Sequence, residues 1–138
     1  MDSLSAEKRS WNMSRIRSKN THPELVVRSI LHRLGLRFRL HSNRLPGHPD
    51  IILPKHRMAV FVHGCFWHRH VNCKFAYTPK SRAAFWKDKF AGNVIRDRRQ
   101  HSLLRKSGWK TMIVWECEVA NPTSLRARLA RRFGVFLE

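Results

Sequence analysis

Residues 45–63 read LPGHPDIILPKHRMAVFVH. Leu45 to Pro49 (LPGHP) form a turn, because proline fixes φ and glycine accepts the positive φ that a tight reversal needs. Asp50-Ile51-Ile52-Leu53 follows as a short apolar run, Pro54 to Arg57 turn the chain again, and Met58-Ala59-Val60-Phe61-Val62 is a second run. Runs this short and apolar, set apart by a proline-led turn, read as buried strands. Upstream, Thr21-His22-Pro23-Glu24 opens a helix with Thr21 as cap and Pro23 in the first turn. Leu25, Val26, Ile30, Leu31 and Leu34 make its apolar face, Gly35 ends it, and Leu36 to Leu40 alternate as a strand would. Downstream, a Cys/His-rich loop precedes a long helical stretch from Pro79 to about Ser107, with a break expected near Gly92. Gly108 closes that helix, Trp109 to Trp115 (WKTMIVW) reads as a central strand, and Asn121-Pro122-Thr123 starts a final, Arg-rich helix. The order predicts one α/β domain over residues 21–138, a mixed central β-sheet flanked by helices. Residues 1–20 are expected to be a basic arm, Trp11, Met13 and Ile16 among Lys8, Arg9, Arg15, Arg17 and Lys19, that orders on its partner.

The chain of 138 residues carries 28 Lys and Arg against 9 Asp and Glu, a formal net charge of +19. Such an excess repels itself unless a polyanion neutralises it, so nucleic acid is the expected partner. Arginine outnumbers lysine 19 to 9, which favours bidentate phosphate and guanine contacts. With 42% hydrophobic residues the chain can fill a core, which excludes a wholly disordered protein. No apolar run approaches the ~18 residues of a membrane span, and MDSLSAEKRSWNMSR lacks the apolar segment of a signal peptide. A soluble, cytoplasmic protein with no membrane partner is therefore expected, and a monomer, since no coiled-coil or spare apolar stripe is visible.

Three cysteines occur in all. Cys65 and Cys73 share a loop with His68 and His70, and Cys117 lies just past the last strand. Three thiolates and one imidazole are the donor set of a structural zinc site, and spacing alone leaves both His68 and His70 open as the nitrogen ligand. The scarce carboxylates of interest are Glu24, Asp50, Asp97, Glu116 and Glu118. Asp50, at the mouth of a buried strand, suits a hard divalent cation facing a scissile phosphate. Glu24 also fits the fourth position of a T-x-x-E capping box, and Asp97, near Asn93 and His101 on a helix, is flanked by Arg96, Arg98 and Arg99. His63 and His68 can act as general base and acid beside Asp50. Phe66-Trp67, consecutive aromatics in a basic loop, suit insertion into a base stack or packing on a metal knuckle.

NMSRIRSKNTHPEL, PGHPDIILP, MAVFVHGCFWHRHVNC, FWKDKFAGNVIRDRR and GWKTMIVWEC, in that order over residues 11–118, resemble the motifs of the very short patch repair (Vsr) endonucleases. The resemblance implies a variant restriction-endonuclease-like fold and a magnesium-dependent enzyme that nicks one strand of duplex DNA 5′ to the T of a T·G mismatch. It implies that Asp50 and the main-chain carbonyl of Val62, where some members carry Thr, bind magnesium. His63 and His68 are then the catalytic histidines, Asp97 the carboxylate paired with one of them, and Glu24 a carboxylate holding metal-bound water. Cys65, His70, Cys73 and Cys117 become the structural zinc ligands. Phe66 and Trp67 enter beside the mismatch from the major groove, and Met13 from the minor-groove side. Further implied are a bacterial, nucleoid-associated setting during repair and mismatch-repair proteins as candidate partners. A nuclease of the same fold without mismatch preference, or a zinc-stabilised DNA-binding module without catalysis, are the alternatives.

Overall fold

A computed structural model describes residues 19–137. Most of the basic arm, Met13 included, lies outside them. Helix α1 (His22–Arg33) starts where Thr21 Oγ1 accepts the Glu24 N–H at 3.3 Å. The reciprocal half of a capping box is replaced, because the Glu24 carboxylate turns inward to other partners. The buried face is Glu24, Val27, Ile30 and Leu31, whereas Leu25, expected inside, is 46% exposed.

Strands β1 (Arg39–Leu40), β2 (Ile51–Leu53), β3 (Met58–His63) and β4 (Lys110–Trp115) form one mixed sheet in that order. Strands β1 and β2, and β2 and β3, pair antiparallel, and β3 and β4 pair parallel with Val60 opposite Met112 and His63 opposite Trp115. The WKTMIVW segment is thus an edge strand among the described residues, and β3 is the inner strand beside it. Its run of apolar residues comes from helices covering both faces, not from neighbours on both edges. On one face Met58, Val60, Met112 and Val114 meet Val27 and Leu31 of α1 and Leu125 and Leu129 of the last helix. On the other, Ala59 and Phe61 meet Leu104 of the long helix.

The loop after β3 holds a single helical turn, α2 (Cys65–His68). The long helix α3 (Ala83–Lys106) begins four residues later than expected and runs unbroken through Gly92, which is exposed and touches nothing within 4 Å. One glycine costs a helix only about 1 kcal/mol relative to alanine, too little to break one anchored on both sides. Gly108 closes it at φ +88, with Trp109 N–H returning to Leu104 O at 3.0 Å. Helix α4 (Pro122–Phe133) is capped by Asn121 Oδ1 on the Ser124 N–H. Residues 86, 90, 93, 97, 101 and 104 fall on one face of α3 at helical spacing, so Trp86, Phe90, Asn93, Asp97, His101 and Leu104 all turn toward the sheet and the loop of α2.

Candidate active site

A cavity of about 790 Å³ opens where the N-terminus of β2, the C-terminus of β3, α2 and the middle of α3 meet. Six of the nine carboxylates lie among the described residues, and four of them, Glu24, Asp50, Asp97 and Glu116, line this cavity. In a chain of net charge +19 such a concentration of acids makes a local seat for a cation. Asp50 sits one residue before β2 and its Oδ2 accepts the Val62 N–H at 2.8 Å, so the two residues expected at magnesium are joined across β2 and β3. Burial pushes the Asp50 carboxyl up to about 6, against the Val62 hydrogen bond, and the negative charge of Glu24 adds to the rise. Glu24, 1% exposed, places both oxygens on His41 Nε2, at 2.9 and 3.1 Å, and Oε2 on Arg28 at 3.3 Å.

Across the cavity, His68 Nδ1 meets Asp97 Oδ2 at 2.6 Å. Asp97 therefore fixes the proton on Nδ1 and leaves Nε2 as the basic nitrogen. Burial would raise the Asp97 carboxyl, yet the His68 hydrogen bond and charge outweigh it and hold the group below its ordinary value. His63, 5% exposed, stacks on His68 with ring centroids 3.8 Å apart and planes 8° from parallel. Burial, reinforced by His68, depresses His63 to about 3, so it is a neutral imidazole at physiological pH. His63, His68 and Asp97 are close enough to be read as a metal group. Parallel stacked rings direct their in-plane lone pairs along separate planes, however, which suits proton transfer and phosphate contact better than convergence on one ion.

Around α2, the donor atoms of Cys65, His70, Cys73 and Cys117 lie within 4.8 Å of one another. It is His70, not His68, that joins the cysteines: His70 Nδ1 stands 3.6 Å from Cys65 Sγ and 3.4 Å from Cys117 Sγ. Zn–S of 2.3 Å and Zn–N near 2.0–2.1 Å at a tetrahedral angle imply an S···N edge of about 3.6 Å, so the four donors fit such an ion. Burial pushes the Cys65 thiol up to about 12 and also raises Cys117, whereas the Phe75 main-chain N–H lowers Cys73. Thiols this close become a thiolate set around a cation. The His70 ring stacks on Trp115 at 4.2 Å, tying the loop to the end of β4.

Phe66 and Trp67 both line the cavity and are half-buried. Phe66 makes edge contacts with Trp67, Trp86 and Phe90 at 5.0–5.6 Å, and Asn93 Nδ2 holds the Trp67 carbonyl at 3.1 Å. Arg69 clamps the loop from behind, donating to the carbonyls of Phe66, Ala76 and Tyr77 while its guanidinium lies 3.9 Å over the Phe90 ring. The aromatics are thus presented on a packed platform.

The family profile for DNA mismatch endonuclease Vsr matches residues 1–74, more than half of the chain. The chain belongs to the Vsr family. The type II nicking enzyme V.XorIIP of Xanthomonas oryzae pv. oryzae is 49% identical over 128 residues, 93% of each chain. The DNA mismatch endonuclease Vsr of Escherichia coli K12 is 44% identical over 109 residues, 79% of this chain and 69% of that one. Among solved structures, the catalytic domain of the homing endonuclease I-Bth0305I aligns with a TM-score of 0.57 at 20% identity, over 81% of this chain and 93% of that one, a likeness of fold. The protein is thus a Vsr-family endonuclease, and no helix among its described residues is long and apolar enough to cross a membrane.

Two residues of this Vsr chain, His41 and Arg69, carry no signal in the sequence. His41 acts on Glu24, seventeen positions away, and Arg69 acts mainly on main-chain carbonyls of its own loop, which no residue type announces. His101 lay four residues after Asp97 on the helical lattice; it packs on Phe61 at 4.3 Å, and burial lowers its pKa. Glu118, a candidate carboxylate, pairs instead with Arg128 at 2.7 Å and accepts the Trp115 N–H.

Proposed function

We propose that this Vsr-family chain nicks one strand of duplex DNA 5′ to the T of a T·G mismatch, in a magnesium-dependent reaction. The observation that carries this reading is the His68–Asp97 pair at 2.6 Å facing the same cavity as the buried Asp50 carboxylate. Asp50 and the Val62 carbonyl would hold magnesium, with Glu24 reaching it through water, and the ion when bound would polarise the phosphate and stabilise the leaving 3′ oxygen. His68 takes the proton of the attacking water at Nε2, and Asp97 holds the resulting imidazolium through Nδ1–H. His63, kept neutral by burial, contacts the phosphate without adding a second positive charge beside His68. In the same reading Cys65, His70, Cys73 and Cys117 hold zinc, which fixes the loop of Phe66 and Trp67 and does no chemistry.

Phe66 and Trp67 enter the stack from the major groove, and Met13 of the arm 1–20 enters from the other side. Insertion costs a few kcal/mol of unstacking, least at a mispair, and that difference supplies selectivity. The protein is assigned to the cytoplasm, acting at the nucleoid as a monomer, with mismatch-repair proteins as candidate partners. The test is nicking of end-labelled duplexes carrying T·G, T·A or C·G at one position, with magnesium or with EDTA, alongside Asp50→Ala. The expected result is a magnesium-dependent cut 5′ of the T in T·G alone, lost in Asp50→Ala. Equal cutting of all three duplexes would leave a nuclease without mismatch preference, and binding without cutting would leave a DNA-binding module.

A further inference from the structure

We propose that His41 is the positioning residue of the metal site, its main chain and its imidazole tying Asp50 and Glu24 together so that both carboxylates face one hydrated divalent cation. The inference rests on the metal-dependent reading above. His41 follows β1 directly, and its N–H donates to the Asp50 carbonyl at 2.9 Å, adding one more rung beyond the Leu40–Ile51 pair. Its φ is +48, a left-handed conformation that a non-glycine residue keeps only where its surroundings enforce it. That conformation accompanies an imidazole directed at α1, where Nε2 lies 2.9 and 3.1 Å from the two oxygens of Glu24. One residue thus touches the backbone at the first carboxylate and the side chain of the second, seventeen positions away in sequence.

The lone pairs of Glu24 say what this contact leaves free. A carboxylate offers about four acceptor positions. The His41 Nε2–H is shared by both oxygens, and Arg28 occupies a second position on Oε2. One position on Oε1 remains, enough for a single water and too little for a chelate. Glu24, 1% exposed, cannot swing out to solvent to offer more. His41 therefore makes Glu24 a holder of a metal-bound water and leaves Asp50 as the direct carboxylate ligand.

Manganese is a convenient probe, since free Mn²⁺ gives a strong paramagnetic resonance signal that is lost on binding. The full chain is titrated with Mn²⁺ on a T·G duplex whose scissile linkage is a phosphorothioate, in parallel with thermal midpoints without metal. In His41→Gln the amide nitrogen stands as many bonds from the backbone as Nε2, so Mn²⁺ affinity is expected within about threefold of the parent. In His41→Asn the donor falls one bond short, and affinity is expected to drop about 10- to 100-fold, the usual loss when a partner behind a metal ligand is removed. Activity of His41→Asn is expected to recover at saturating metal. Equal Mn²⁺ affinity in the Asn variant and the parent, or equal loss in Asn and Gln variants, would overturn the inference. A parent complex whose Mn²⁺ binding is unchanged by Asp50→Asn would overturn the metal-dependent reading itself, and this one with it.

Discussion

Asp50 keeps its proton to about pH 6 because burial outweighs the Val62 N–H that stabilises the anion. In the unfolded chain the same carboxyl ionises near 3.8, the ordinary value for an aspartate. The folded state therefore binds more protons between those values, so stability falls as pH rises through the window and the deficit persists above pH 6. Asp50→Asn, whose amide oxygen can still accept from Val62, removes that burden. It is expected to be more stable than the parent at pH 7, on the order of 2 kcal/mol by urea denaturation, and inactive in nicking. The same proton competes with any cation for the carboxylate. Mn²⁺ affinity of the parent is accordingly expected to climb from pH 5 and level off above pH 6, which a titration at stepped pH reads directly; affinity flat across pH 5–7 would mean that Asp50 is not the ligand. At this scale the sequence names residues that the fold brings together, Asp50 with Val62 and Cys65 with Cys117. His41 escaped notice because nothing local marks a histidine whose purpose is a carboxylate on another element.

Helix α3 shows why an element can be found and its meaning missed. Its core-facing line includes Asn93, Asp97 and His101 between Trp86 and Leu104, so polar site residues occupy positions that a helix ordinarily gives to leucine. The apolar stripe is interrupted at the place where the helix lines the cavity. The inner and edge strands were exchanged for a related reason, since β4 is covered on both faces by helices and reads like an interior strand. Its open edge is partly occupied by Arg128, which donates to the Ile113 carbonyl at 3.0 Å, a charged guard of the kind that discourages strand addition. The α2 loop has the least core of its own and depends on the cysteine group and on Arg69. Elemental analysis of the purified chain is expected to give one zinc per molecule, and Cys117→Ser to lose it. Because the sheet retains its two helical faces, that variant is expected to fold with a lower thermal midpoint rather than to unfold. Nicking should fall by at least tenfold, since Phe66 and Trp67 lose their anchor on β4 while Asp50 and Val62 keep theirs. A zinc-free Cys117→Ser of unchanged activity would show that the platform stands without its metal.

For the molecule as a whole, the charge balance separates two terms in its attraction to DNA. Nineteen uncompensated positive charges act on phosphates of any sequence, while four of the six described carboxylates are drawn into one cavity, away from the basic surface. The first term releases counterions and so depends steeply on salt, by about 0.9 per phosphate neutralised in a plot of log affinity against log salt. The second, the lower cost of unstacking a mispair, involves few charges and should be nearly independent of salt. Anisotropy titrations of T·G and T·A duplexes from 50 to 200 mM salt, without divalent metal, are therefore expected to give two nearly parallel lines. With roughly 6–10 phosphates covered, each should have a slope of about −5 to −9. Their vertical separation measures the mismatch term alone, and slopes shallower than about −3 would mean that the basic surface is not the DNA contact. Lines that converge at high salt would instead tie mismatch preference to additional phosphate contacts. The wedge of Phe66 and Trp67 would then hold the complex in register without choosing the site, and Phe66→Ala would lower both lines equally rather than close the gap between them.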